Sequence, residues 1–158
     1  MNWKKGKPYL FGILFTEAVG GLSALLTGDS MELYNSAIVK PALSPPPIVF
    51  PIAWSILYAL MGIGAVRVWL TPPSPERSRS LRLYLIQLAF NFLWSILFFR
   101  FQAFGLAFFW LAALWILIVR MTLSFYEQDR PAAWLQLPYL LWVLFAAYLN
   151  LGVWKLNG

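Results

Sequence analysis

Three short stripes of aromatic and carboxamide side chains carry most of the chemistry open to this chain. At helical spacing Phe50, Trp54, Tyr58 and Met61 share one face, Gln87, Asn91, Trp94 and Ser95 a second, and Tyr139, Trp142, Ala146 and Asn150 a third. Indoles and phenols stack on flat apolar molecules, and a few amides can fix their orientation. With no cysteine and no histidine in the sequence, thiolate nucleophiles, disulfides, imidazole bases and zinc sites are excluded together. Glu17 is the one carboxylate well inside an apolar segment. A charge at mid-span costs about 2.5–3.5 kcal/mol on insertion scales, so Glu17 either serves a function or is neutralised by a proton or a neighbouring helix.

The elements that position these stripes follow from composition. The chain is 61% hydrophobic and 11% charged, too apolar for a fold whose surface meets water. Five segments, 9–26, 48–70, 81–99, 104–125 and 133–154, reach the roughly 20 residues that cross a hydrocarbon core. Backbone groups in lipid must be satisfied within the span, and the short connections do not suit a barrel. The expected fold is therefore an all-α membrane protein, a single five-transmembrane-helix bundle over residues 1–158. The N-terminal run after Lys4, Lys5 and Lys7 is as long as a span and four more follow, so it reads as a retained first helix and not a cleaved signal.

With alternating spans, Lys4, Lys5, Lys7, Arg67, Arg77, Arg79, Arg82, Arg120 and Arg130 fall on one side, and Lys40, Arg100 and Lys155 on the other. The positive-inside rule then places the N-terminus in the cytoplasm and the C-terminus outside, with a prokaryotic cell membrane as the expected host. Because the basic residues sit between apolar segments and form no single stripe, nucleic acid is not an expected partner. Membrane lipid is.

The first connection, 27–47, is long for a compact bundle and is expected to act as a lid. Asp29 or Ser30 could cap a short surface helix over 31–39. Ser44-Pro45-Pro46-Pro47 must be extended. Trp3, Trp69, Trp134 and Trp154 sit at span ends, where an interfacial belt accounts for them. Trp54 and Trp142 lie about 10 Å inside their helices, so they fill a core or line a cavity. Gln87, Asn91 and Asn150 should point into the bundle, since lipid offers an amide no hydrogen bond. Pro138 should bend the fifth helix. Gly12, Thr16, Gly20 and Ala24 recur four apart, a small-residue stripe for a helix of the same bundle or of a second copy. The expected assembly is a homodimer.

A family resemblance extends over nearly the whole chain. It is carried by Lys40-Pro41-Ala42-Leu43-Ser44-Pro45-Pro46, by Val49-Phe50-Pro51-Ile52-Ala53-Trp54-Ser55-Ile56-Leu57-Tyr58 with Met61-Gly62, by Gln87-Leu88 with Asn91 and Trp94-Ser95, and by Leu137-Pro138-Tyr139-Leu140-Leu141-Trp142 through Phe145-Ala146 to Leu149-Asn150. In order and type these motifs resemble the TspO/translocator protein family, once called the peripheral benzodiazepine receptor. The resemblance implies a pocket that opens toward the first loop and takes porphyrins and, in mitochondrial relatives, cholesterol and synthetic ligands. It places Trp54, Tyr58, Asn91, Trp94, Trp142, Phe145, Ala146 and Leu149 on the pocket, with Tyr34, Pro45 and Phe50 on the lid side. Two family tryptophans are replaced by Leu43 and Leu33, which weakens the lid's grip on a planar ligand. The family's cholesterol motif fails, because Leu151 stands where its tyrosine would be and Tyr148 is one residue too far from Lys155, so cholesterol is not an expected partner.

The expected function is a membrane receptor or carrier for porphyrin-type tetrapyrroles, with porphyrin or haem as ligand and no cofactor required. An alternative is light- and oxygen-dependent porphyrin breakdown through Trp54 and Trp142; no other residue is a catalytic candidate, and no metal site is expected. An ion-coupled transporter fits less well, given one buried carboxylate, no histidine relay and an odd number of helices. Five spans make a direct prediction. Single cysteines introduced at the two termini of the protein in sealed vesicles should react with an impermeant maleimide from opposite sides, and labelling from one side refutes the count.

Overall fold

The computed structural model describes residues 3–158, and their side chains apart from those at positions 3 and 31–33. The expectations for Trp3 and Leu33 lie outside the described side chains. Six helices make up five spans: α1 Trp3–Ala37, α2 Val49–Trp69, α3 Pro75–Ser95 extended by a π-helical turn Ile96–Arg100, α4 Phe104–Gln128, α5 Arg130–Trp134 and α6 Leu137–Asn157. Among the described residues, five stretches are long and apolar enough to cross a membrane, the last formed by α5 and α6 together. This is an integral membrane protein.

Helix ends follow local chemistry. Ser74 caps α3 by accepting from the Arg77 N–H at 3.0 Å, and Pro75, whose missing donor is not needed in the first turn, starts the helix six residues before the expected 81. Asp129 caps α5 through the Ala132 N–H and also takes the Arg67 guanidinium, Nε to Oδ2 at 2.7 Å. That ion pair ties the end of α2 to the turn between α4 and α5. Pro138 stands in the first turn of α6, after a break at Leu135–Gln136, so the bend expected there divides the span into two helices.

The first connection differs from its expectation. Asp29 and Ser30 cap no separate helix, because α1 continues unbroken to Ala37. No proline interrupts residues 28–37, and once a helix is nucleated each further residue adds a hydrogen bond at little cost. Tyr34 anchors the extension by burying its ring against Phe98 and Phe99 at 5.5 and 5.3 Å. Only residues 38–48 remain as an irregular strap.

Against α2, the small-residue stripe of α1 is used within the bundle. A Cβ at Gly62 would lie 2.6 Å from the Gly12 carbonyl oxygen, and one at Gly20 would strike the Tyr58 ring. Thr16, fully buried, returns its hydroxyl to the Gly12 carbonyl at 2.9 Å and also meets the Tyr84 hydroxyl of α3. Contact with α2 thus occupies Gly12 and Gly20, and contact with α3 occupies Thr16.

Gly62→Ala should therefore push α1 and α2 apart and destabilise the bundle by about 1–3 kcal/mol, the usual cost of overpacking. At Gly21 an added Cβ meets nothing, so Gly21→Ala should be neutral or slightly stabilising. Thermal unfolding of both variants in detergent checks the pair, and equal effects would refute the close approach.

Candidate functional site

Trp54 is the centre of an aromatic assembly drawn from three spans. Its ring stacks on Tyr58 of α2 at 5.6 Å, meets Trp94 of α3 at 6.5 Å, and stands edge-on to Tyr139 and Trp142 of α6 at 6.3 Å each. Phe50 closes on Trp142 at 6.1 Å, and Phe98 stacks on Trp94 at 5.3 Å. These rings do not fill the bundle. They enclose a hollow of about 180 Å³ at the end that faces the strap.

Below the hollow lies a run of hydrogen bonds. The Tyr58 hydroxyl donates to Asn91 Oδ1 at 2.8 Å, Asn91 Nδ2 donates to the Tyr139 hydroxyl at 2.7 Å, and Tyr139 donates to Gln87 Oε1 at 2.7 Å. Gln87 Nε2 ends the run on the Tyr84 carbonyl at 3.0 Å. Nearby, Trp94 Nε1 donates to Asn150 Oδ1 at 3.0 Å, and Asn150 Nδ2 donates to the Phe104 carbonyl at 2.8 Å. The carboxamides of Gln87, Asn91 and Asn150 are buried, as the lipid argument requires. Trp142 is different: its buried indole N–H has no hydrogen-bond partner among the described residues.

The structure brings most of the sequence-predicted residues to the wall of the hollow. Phe50, Trp54 and Tyr58 come from α2, Trp94 from α3, Trp142, Ala146 and Leu149 from α6, and Tyr34 from the extended end of α1. Tyr34 is thus a helix residue and not part of a loop. Burial raises the pKa of its phenol, and the Lys40 ammonium lies 5.2 Å from its ring centre. Three other residues stand back. Asn91 sits behind Tyr58 in the hydrogen-bonded floor, Phe145 supports Trp142 from 5.7 Å, and Pro45 is half-buried in the strap away from the wall.

Sequence reasoning missed part of the wall. Gly20, Ser23, Ala24 and Thr27 of α1 line it, as do Phe98 and Phe99. The α1 set had a signal, since Thr16, Gly20, Ser23 and Thr27 continue one face at spacings of four, three and four. Phe98 and Phe99 had none. They are adjacent residues brought to one wall by the π turn, in which the Phe101 N–H reaches back five residues to the Ile96 carbonyl at 3.1 Å.

The strap is pinned to α6. Asn157 accepts from the Val39 N–H at 3.0 Å and donates to the Val39 carbonyl at 2.7 Å. Farther along, the Tyr148 hydroxyl donates to the Ala42 carbonyl at 2.6 Å, and Pro41 packs over Gly152. Leu43, at the strap's apex, has φ +70° and is 81% exposed. It is not among the residues that line the hollow. Asn157→Ala should free the first pin, and hydrogen exchange at the Val39 amide should quicken several-fold while amides inside α3 hold; unchanged exchange at Val39 would refute the strap's attachment.

Comparison with known proteins fits this arrangement. Residues 12–155 match the TspO/MBR family. The "Tryptophan-rich protein TspO" of Chlorobaculum tepidum is 37% identical over 141 residues, covering 89% of each chain. A "Tryptophan-rich sensory protein" of Cereibacter sphaeroides is 37% identical over 134 residues, 85% of this chain and 81% of its own. The "Translocator protein" of Homo sapiens is 33% identical over 137 residues, 85% of this chain and 80% of its own.

Proposed function

Since this chain belongs to the TspO/MBR family, we propose that it is a membrane receptor or carrier binding a porphyrin-type tetrapyrrole in the aromatic hollow. The observation that carries the reading is the meeting of Trp54, Trp94 and Trp142 from three spans around one space. Stacking on indoles adds roughly 0.5–1.5 kcal/mol per ring pair beyond buried area. The unpaired Trp142 N–H is a donor that an acceptor on the ligand would satisfy. A hollow of about 180 Å³ is smaller than the roughly 300–1,000 Å³ of ordinary ligand pockets. In this reading the strap lifts and the aromatic side chains at the mouth rotate to admit the ligand.

Metal plays little part in the proposed recognition. The sequence holds no histidine or cysteine, and only weak axial ligands such as tyrosine or methionine could approach a haem iron. The proposed orientation puts the basic N-terminal end of the bundle in the cytoplasm and the mouth of the hollow outside. The proposed homodimer would use surfaces other than the α1 face packed on α2.

Light- and oxygen-dependent breakdown of the bound porphyrin is a second reading. It is favoured by the 6.3 Å contact between Trp54 and Trp142, two indoles placed to exchange an electron with an excited macrocycle. One titration series addresses both. In the dark, protoporphyrin and haem should quench tryptophan fluorescence with dissociation constants within about threefold, and Trp142→Phe should weaken both. A strong preference for haem overturns the metal-independent reading. Under light, porphyrin bleaching that disappears in Trp142→Phe supports breakdown, and equal bleaching in both proteins opposes it.

A further inference from the structure

A second recess lies on the outer side of the hollow's wall. Of about 270 Å³, it runs between α1 and α2, with Glu17, Gly21 and Ala24 on one side and Trp54, Ser55 and Tyr58 on the other. Ala24, Trp54 and Tyr58 also line the central hollow, so two aromatic rings divide the two spaces. Gly21 and Ser55 are exposed, and Ile52 and Ile56 beside them present more than half their surface. The recess therefore opens sideways onto acyl chains.

Glu17 is what makes this groove chemically specific. It lies thirteen residues from each end of the first span, Lys4–Ser30, or about 20 Å from either end along the helix, which is mid-membrane. Its carboxyl group makes no hydrogen bond or ion pair among the described residues. Spacings of four and three put Glu17, Gly21 and Ala24 on one face of α1, with the missing side chain of Gly21 leaving room beside the acid. At this depth no water solvates a charge, so a guest bringing a proton donor and countercharge is preferred to a neutral one.

We propose that this groove is a binding site for the protonated amine of a flat, bilayer-dissolved amphiphile, whose rings lie against Trp54 and Tyr58 and whose ammonium pairs with Glu17. The site is separate from the central hollow and does not depend on the tetrapyrrole reading. Its ligand class is an aromatic amine. Arriving through the lipid, such a molecule needs no movement of the strap.

The test compares two probes that differ in one group, 6-bromo-2-naphthylmethylamine and the matching alcohol. Both are titrated against the full-length protein in lipid nanodiscs, read by bromine quenching of tryptophan, and corrected for partition into empty discs. The amine should bind at least about tenfold more tightly than the alcohol. Glu17→Gln should abolish that difference, and Glu17→Asp should retain part of it. Gly21→Leu, whose Cβ meets nothing, should fill the groove and weaken both probes without unfolding the helix pair. Equal affinity for amine and alcohol, persistence of the preference in Glu17→Gln, or indifference to Gly21→Leu each overturns the proposal. Protoporphyrin binding is followed in the same variants and should stay at the wild-type level; its absence in all of them, wild type included, counts against the central hollow alone.

Discussion

Hydrocarbon supplies no hydrogen bonds, and the arrangement of this bundle follows from that deprivation. Gln87, Asn91 and Asn150 bring three carboxamides into the membrane, each with donors and acceptors that only other protein groups can meet. For Asn91 and Gln87 the solution is the linked run from Tyr58 through Asn91 and Tyr139 to Gln87, which joins α2, α3 and α6 at one level, while Asn150 is held by the Trp94 indole and the Phe104 carbonyl. Each bond adds about 1 kcal/mol net, but an abandoned partner costs about 1–3 kcal/mol. The run therefore acts chiefly on register: a helix that slides or turns by one residue strands several polar groups together. Because the indoles sit one or two turns from these amides on the same helices, fixing the amides also aims the aromatic wall.

Much of this could be read from spacing. Once Asn91 and Gln87 had to turn inward, Trp94 on their face turned with them, and the same logic placed Trp142 beside Tyr139 and Asn150. What could not be read was any feature set by backbone departures. The π turn that gathers Phe98 and Phe99 leaves no mark in hydrophobic periodicity, which assumes a uniform helix. Likewise Asp29 and Ser30 look like a helix start, yet the helix passes through them, because burial of Tyr34 outweighs their local preference. Pro138 gave the place of a distortion but not its extent. The preceding residues take a separate turn, and the span is cut in two.

Glycines divide into two kinds, and the difference explains how α1 can do two things at once. Gly12 and Gly20 are consumed by contact with α2, where no Cβ fits. One position beyond Gly20, Gly21 faces open space, on the face that carries Glu17. A single helix thus presents a tightly packed seam toward α2 and a recessed edge toward lipid. Glycine's cost in helix propensity is tolerated at both.

The hydrogen-bonded floor has a consequence for traffic. Beneath Tyr58 and Asn91 the bundle is solid, with Met61, Val68, Met121 and Phe125 showing no accessible surface, so the chamber is a cul-de-sac rather than a tunnel. A guest must depart through the doorway that admitted it or slip laterally into the bilayer. Passage to the opposite leaflet would demand that the amide ladder be dismantled rung by rung, leaving bare dipoles in oil with each turnover.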